Sequence, residues 1–204
     1  MMKIEVRSDS VVLEGYVNVT MRDSRVLSGI RGKFIEVVEA RTFTKAIERA
    51  NNIQLLHNHK KDRILGSTSN GNLELREDNI GLFARCEIRD QEVMNKAKNG
   101  ELKGWSFGFS TIKDRWEKHD SGIDRRYLED INLYEISILD VTPAYYATSV
   151  EVRGEENTLI EERSCESTIE LITTEKVDEK RAEKLVETDL SALFDVQNFI
   201  KIRK

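Results

Sequence analysis

Alternating apolar and polar positions run through the first two thirds of the chain and predict a body rich in β-strands. Residues 11–19 alternate over their whole length, and Gly15 in their middle allows a bend or a close backbone approach. Residues 34–38 predict a second strand, and residues 73–76 and 81–88 predict a hairpin. Many short strands with few connecting helices are typical of a small closed sheet or barrel.

Two segments instead show apolar residues at helical spacing. Thr42 is positioned to cap the first helix, and the apolar stripe of that helix consists of Phe43, Ala46, Ile47 and Ala50. Asp90 can cap a second short helix, which Asn99 and Gly100 would end. Residues 53–59 predict another strand, which runs into a polar turn over residues 60–63. The predicted class is therefore mainly β with flanking helices (α+β).

The amino-acid composition of the chain changes after Arg153. Residues 154–175 carry seven glutamates against one arginine, a composition that predicts a solvated acidic linker or a weakly structured arm. Beyond this segment, apolar residues recur at helical spacing and predict an amphipathic helical tail. The predicted organisation is a body over residues 1–153, a linker over 154–175 and a tail over 176–204.

Composition narrows the possible functions. The net charge of −5 argues against sequence-independent nucleic-acid binding, which needs clustered lysines and arginines. No apolar run is long enough to span a bilayer, and the first residues lack the apolar core of a signal peptide, so a cytosolic protein is expected. Two cysteines make neither a disulfide framework nor a zinc site. Cys86 shares a strand face with apolar residues and is expected to be a small buried hydrophobe, with a Cys–His thiol protease ranked well behind.

The stretch over residues 103–110 has the most unusual pattern. Trp105, Phe107 and Phe109 would lie on one face of a strand, and the residues between them are small. The nearly bare second face would let another chain or a reacting carbonyl approach the hydroxyl of Ser106. Taken alone, the pattern is more typical of a core strand whose small residues pack against a helix, since single motifs give many false positives.

Two further polar residues stand at unexpected positions. His59 ends an apolar strand, and Glu135 interrupts the apolar face of a strand over residues 131–141. Together with Ser106 they supply the three groups that serine hydrolysis needs: a nucleophile, a base and a group that orients the base. His57 is the competitor for the role of base or an auxiliary member, and His119 is expected to be exposed in a loop over residues 115–126. Glu135 has the alternative of pairing with an arginine.

Several segments resemble, in their residues and in their order along the chain, the prohead maturation proteases of tailed bacteriophages. These proteases are distant relatives of the herpesvirus assemblins. The matching segments are Phe34-Ile35-Glu36, Phe43 with Ala46-Ile47, Leu55-Leu56-His57-Asn58-His59, Leu65-Gly66, Gly81-Leu82, Gly100 to Phe109, Leu133 to Ile138, and Thr142-Pro143-Ala144-Tyr145. The resemblance covers residues 11–153, and linked motifs in order are far more specific than any single one. One departure is Glu39 to Phe43, which stands where the family usually has a Pro-Gly-Ala-Phe turn.

The resemblance implies a serine protease domain over residues 1–153, with an assemblin-like closed β-barrel and flanking helices. By matching position, it implies Ser106 as nucleophile, His59 as general base and Glu135 as the group that orients the base. Because the assemblins use a second histidine as the third member, His57 keeps an auxiliary place.

The implied function is a prohead endopeptidase that cleaves scaffold or capsid-protein delta segments and then itself, inside the assembling prohead in the host cytoplasm. The implied partners are the major capsid protein or its scaffolding segment and a second copy of the chain, with no nucleic acid, membrane, metal or cofactor. Two rivals remain: a catalytically inactive, scaffold-type head-assembly protein, and a serine hydrolase acting on small esters.

Overall fold

The computed structural model describes residues 2–29, 31–118, 122–140, 150–153, 158–166 and 168–173. The predictions for His119 and for the helical tail over residues 176–204 lie outside these described residues. Within them, no helix is both long and apolar enough to cross a membrane.

The described part of the chain is mainly β, as predicted, with two helices. The strands are β1 (Met2–Val6), β2 (Val11–Val19), β3 (Leu27–Gly29), β4 (Gly32–Val38), β5 (Gln54–His57), β6 (Lys60–Ser67), β7 (Leu73–Glu77), β8 (Gly81–Ile88), β9 (Gly104–Glu117), β10 (Asp124–Leu139), β11 (Val150–Arg153), β12 (Thr158–Glu166) and β13 (Ile169–Thr173). The helices are α1 (Thr42–Arg49) and α2 (Gln91–Lys98). The predicted hairpin is confirmed as β7 and β8.

The strands form two sheets. The first has the order β13-β1-β2-β8-β7, and the second has the order β11-β12-β9-β10-β4-β3, with β5 joining β10 and β6. Among the described strands neither order returns to its first member, so the closed barrel stays a prediction.

The aromatic face of β9 lies in the core, as its alternation predicted. Trp105, Phe107 and Phe109 are fully buried. Phe107 stacks on Phe109 with ring centroids 5.3 Å apart, and Phe43 of α1 meets Phe107 edge-on at 5.4 Å. Each such aromatic pair stabilises the fold by about 0.5–1.5 kcal/mol beyond simple burial. The aromatic face therefore fixes β9 against α1 and leaves its other face for the small residues.

The helix ends were predicted with mixed success. Asp90 caps α2, because its carboxylate accepts a hydrogen bond from the backbone N–H of Val93 at 3.0 Å. The prediction for Thr42 was wrong by one residue. Arg41, in a left-handed conformation, precedes α1, while the Thr42 hydroxyl donates to the carbonyl of Leu128 at 3.1 Å.

The acidic segment contains strands where a linker was predicted. β12 pairs antiparallel with β9, and β13 pairs parallel with β1. Glu161, which the sequence placed in solvent, instead lies 2.6 Å from both Arg126 and Arg163. Two buried arginines therefore take the place of water around this carboxylate. The linker prediction for residues 158–173 assumed that their glutamates lie in solvent, and this assumption fails for Glu161.

β10 organises the second sheet. It pairs in parallel with β4 and β5, and antiparallel with β9. Strands occupy both ends of the predicted loop over residues 115–126, because β9 continues to Glu117 and β10 begins at Asp124. The β9–β10 register sets Glu135 opposite Gly108 and Ser137 opposite Ser106.

Candidate active site

A tight turn presents His59 to the second sheet. β5 ends at His57 and β6 begins at Lys60, so Asn58 and His59 form a two-residue hairpin loop. Both have positive φ angles, 52° and 59°, as in a type I′ turn. The turn therefore lies two residues earlier than the polar segment over residues 60–63 that was expected to form it.

Hydrogen bonds to the end of β10 hold this turn. Asn58 N donates to the Ile138 carbonyl at 3.0 Å, and its side chain donates to Asp140 Oδ1 at 2.6 Å and accepts from Asp140 N at 3.2 Å. Two adjacent left-handed residues other than glycine cost on the order of 1–2 kcal/mol each. Contacts to β10 offset this cost and fix the position of the next residue, His59.

Glu135 and His59 form a close pair. His59 Nδ1 lies 2.6 Å from Glu135 Oε1, and the Glu135 side chain is only 7% exposed. Ser137 Oγ donates to Glu135 Oε2 at 2.7 Å and accepts from His59 N at 3.1 Å, so one hydroxyl links both residues. An ionised carboxylate only accepts hydrogen bonds, so Nδ1 carries the proton in this pair and Nε2 is the basic nitrogen of the neutral ring.

Ser106 lies on the same face of the sheet as Glu135. It is fully buried in β9, opposite Ser137 of β10 on one side and Ser164 of β12 on the other. Its hydroxyl donates to the Arg163 carbonyl at 2.8 Å and accepts from Ser164 Oγ at 3.2 Å. Within the described residues these are the hydrogen bonds of the Ser106 side chain, and His59 is not among its partners.

The structure thus joins two of the three predicted residues directly and places the third one strand away. Ser137 is the residue between them, because it pairs with Ser106 in register and bonds both His59 and Glu135. The small-residue face was expected to be nearly bare, but other side chains and a strand cover it. Glu135 occupies the space above Gly108, and β12 covers the side of Ser106.

Glu162 brings a second carboxylate to the site. Its Oε1 lies 3.6 Å from His59 Nδ1. The ligand atoms of His59, Glu135 and Glu162 lie within 4.8 Å of one another, a spacing that could hold a metal ion, and the same is true of His57, Glu92 and Asp140.

His57 belongs to a different cluster. It is 3% exposed, and its Nε2 lies 3.0 Å from Asp140 Oδ2. Burial opposes ionisation of Asp140, but hydrogen bonds from Lys96 and Asn58 outweigh it and lower the pKa to about 2. The two histidines do not share a strand face, because β5 ends at His57 and the turn at residues 58–59 breaks the alternation. His57 therefore contacts the carboxylate beside the turn, whereas His59 contacts Glu135.

Cys86 behaves as the alternating pattern predicted. It is 1% exposed, and burial raises the pKa of its thiol to about 12. A thiol with so high a pKa is a poor nucleophile near neutral pH, which counts against the thiol-protease interpretation.

A buried network of charges lies beside the site and was not foreseen. Arg163 pairs with Glu36 at 2.6 Å and with Glu161 at 2.6 Å, and Arg126 pairs with Glu161 at 2.6 Å and with Glu36 at 3.2 Å. Burial alone would raise the pKa of Glu161, yet the Arg126 hydrogen bond and the Arg163 charge lower it to about 2. Glu36 and Arg163 also line a cleft of about 540 Å³. The network ties β12 to β4 and β10 and holds the backbone beside Ser106.

Ser137, Glu162 and Ser164 were missed by the sequence interpretation. Ser137 shares the strand face that singled out Glu135, and its position two residues further along is the signal that could have found it. Glu162 and Ser164 could not be found in this way, because they lie in the segment predicted to be a linker.

Serine hydrolases join a carboxylate, an imidazole and a serine hydroxyl in that order; here the first two are in contact, and Ser106 lies on the neighbouring strand and bonds other groups. Residues 1–163 match the family described as caudovirus prohead serine protease, and the chain belongs to that family. It is similar to the prohead protease of Escherichia phage T5, with 26% identity over 140 residues, covering 67% of this chain and 60% of that protein. The match therefore spans less than two thirds of the relative's length. No solved structure matches the chain.

Proposed function

We propose that this chain is a serine endopeptidase of prohead maturation, with Ser106 as nucleophile, His59 as general base and Glu135 orienting the base. The observation that carries the proposal is the 2.6 Å contact between His59 and Glu135 on the sheet face that also bears Ser106. Family membership supplies the reaction class. The substrates would be scaffold or capsid-protein delta segments and the enzyme itself, inside the assembling prohead in the host.

Each residue has a defined role in this mechanism. Ser106 Oγ attacks the scissile carbonyl while His59 Nε2 takes its proton, and Glu135 stabilises the imidazolium that forms. His59 then gives the proton to the leaving amine, and water hydrolyses the acyl-enzyme with the same base. The Ser106 hydroxyl must first turn from the Arg163 carbonyl toward His59. Ser137 has a positioning role, since it holds both the carboxylate and the turn.

The resemblance to the assemblins extends the proposal to architecture. A closed barrel, a helical tail over residues 176–204 and a homodimer are all parts of it. Helical spacing of apolar residues supports the tail, and analogy between folds supports the barrel and the dimer; such analogy is weaker than the contacts within the site.

Co-expression with the cognate capsid protein tests the proposal. The wild type is expected to release capsid-protein fragments, and Ser106→Ala, His59→Ala and Glu135→Gln are each expected to slow their appearance by about 10³–10⁴-fold or more. His57→Gln is the matched control, because it changes the neighbouring histidine of the Asp140 cluster and should retain Ser106-dependent cleavage. Identical fragments from wild type and Ser106→Ala would contradict the proposal.

One observation favours the inactive scaffold-type alternative: the Ser106 hydroxyl bonds the Arg163 carbonyl and Ser164, not His59. A fluorophosphonate probe distinguishes the two functions, since it labels only an activated serine. Labelling of the wild type that is lost in Ser106→Ala and in His59→Ala supports the enzyme. A folded wild type that stays unlabelled supports the alternative.

A further inference from the structure

β12 lies beside Ser106 in the manner of a bound peptide. It is extended, and it pairs antiparallel with β9, the strand that carries the proposed nucleophile. Addition of an extended segment to a sheet edge is a common way in which proteins bind peptides. In the β9–β12 register, Ser164 lies opposite Ser106 and Arg163 lies opposite Phe107.

The peptide group between Arg163 and Ser164 lies at the Ser106 hydroxyl. Ser106 Oγ is 2.8 Å from the Arg163 carbonyl oxygen. Because a carbonyl bond is about 1.23 Å long, the carbonyl carbon lies no more than about 4 Å from Oγ. Reacting atoms in a near-attack arrangement are about 3–3.5 Å apart and aligned, so attack requires Oγ to leave the carbonyl oxygen and to approach the carbonyl carbon by up to about 1 Å.

The residues on either side of this peptide group contact the rest of the site. Glu162 Oε1 lies 3.6 Å from His59 Nδ1, and Ser164 Oγ donates to Ser106 Oγ at 3.2 Å. The Arg163 side chain is held on the other face, with Nε and Nη2 2.6 and 2.8 Å from the two carboxylate oxygens of Glu36. The guanidinium therefore anchors the carbonyl that faces the nucleophile, as a specificity pocket anchors the side chain before a scissile bond.

We infer that the Arg163–Ser164 peptide bond is an intramolecular substrate of this site, an inference that rests on the proposed function. Ser106 Oγ would bond to the Arg163 carbonyl carbon while His59 takes the hydroxyl proton. The bond from that carbon to Ser164 N then breaks, and His59 gives the proton to the new amine. Water, activated by His59, hydrolyses the ester and regenerates Ser106, leaving residues 1–163 and 164–204. Cleavage would free the Ser164 side of β12 from the nucleophile and open this edge of β9 to a substrate in trans.

Intact-mass measurement of the purified full-length chain tests the inference. The wild type is expected to yield a fragment that begins at Ser164, and Ser106→Ala is expected to produce it at least 10³-fold more slowly. The fraction cleaved per unit time should not change with protein concentration. A tagged Ser106→Ala chain mixed with wild type should stay intact. Its β12 remains paired with its own β9, so its bond at residues 163–164 is not accessible to the Ser106 of a wild-type molecule.

Probe labelling and cleavage of the cognate capsid protein, measured on the same preparations, separate the two levels of the argument. Ser106-dependent labelling or capsid cleavage with an uncut bond at residues 163–164, or with cuts elsewhere in the chain, overturns the inference and leaves the proposed function standing. Absence of labelling and of all Ser106-dependent cleavage overturns both. Ser164→Pro gives a further check: a folded variant that still yields a fragment beginning at residue 164 at the wild-type rate also overturns the inference, because the proline ring restricts the preceding residue, Arg163, and crowds the carbonyl that Ser106 must attack.

Discussion

Gly108 lies directly beneath the carboxylate of Glu135: a Cβ atom at residue 108 would be 2.5 Å from Glu135 Oε1. That oxygen is the one that contacts His59. The absence of a side chain at one position of β9 is therefore what lets the carboxylate of β10 reach the imidazole.

Gly108→Ala is accordingly expected to displace Glu135 and to lower kcat by about 10²-fold, since misplacement of a catalytic group by an ångström costs about that much. Peptide-cleavage kinetics together with circular dichroism measure the effect. Ser110→Ala, two residues along the same face of β9, is the control and should retain nearly full activity. Unchanged kcat in a folded Gly108→Ala variant would contradict the role given to the Glu135–His59 contact.

Ser137→Ala tests the positioning role of the hydroxyl that links Glu135 and His59. The variant loses a 2.7 Å bond to the carboxylate and a 3.1 Å bond from the turn. We expect kcat to fall by about 10–100-fold with little change in KM, because the three proposed catalytic groups remain. A purely structural role would instead lower the melting temperature and leave kcat of the folded fraction unaltered.

Two substitutions at Asn58 separate backbone strain from hydrogen bonding in the turn. Asn58→Gly keeps the left-handed conformation but loses the side-chain bonds to Asp140, whereas Asn58→Ala loses both. Urea denaturation should show Asn58→Ala to be less stable than Asn58→Gly by about 1 kcal/mol. Equal free energies of unfolding would mean that the strain assigned to this turn is not there.

The buried charge network predicts a loss of stability in acid. The pKa of Glu161 is about 2 in the folded protein against an ordinary value of 4.5, so the ionised form is the one that folding favours. The stabilisation is present above pH 4.5 and is lost as the pH falls toward 2, by up to about 3 kcal/mol. In Glu161→Gln the deficit relative to wild type should therefore shrink as the pH falls from 5 to 2, measured as free energy of unfolding. A deficit that stays constant over this range would contradict the assignment.

The three candidate residues of the site could be picked from the sequence because each breaks a local pattern. A serine on the small face of an aromatic strand, a glutamate on an apolar strand face and a histidine at a strand end are all visible without coordinates. The sequence did not show that His57 and His59 belong to different clusters. That separation depends on a turn with two residues at positive φ, and such turns usually contain glycine, which this one lacks. The contact of β12 with Ser106 was also hidden, since it joins residues 58 positions apart.

For the fold, local periodicity sufficed where burial was apolar. β2 and the β7–β8 hairpin were predicted because their apolar residues alternate, and β4 because residues 34–38 are mostly aromatic and β-branched. Asp90 was predicted as a cap because a carboxylate at that position bonds free backbone N–H groups. β12 was not predicted as a strand, because its inward side chains, Glu161 and Arg163, are charged. Pattern analysis assumes that charge belongs in water, and it fails where buried carboxylates and guanidinium groups satisfy each other.

The long strand β10 has a consequence for when the His59–Glu135 pair can form. Glu135 reaches His59 only after β10 has aligned with β5 on one side and β9 on the other, and the turn that presents His59 is fastened to Ile138 and Asp140. A nascent chain that has not yet released residue 140 from the ribosome cannot hold this pair, whatever its earlier segments have done. The proposed site therefore forms late, from strands far apart in the sequence, and no segment that ends before β10 can hold the His59–Glu135 contact.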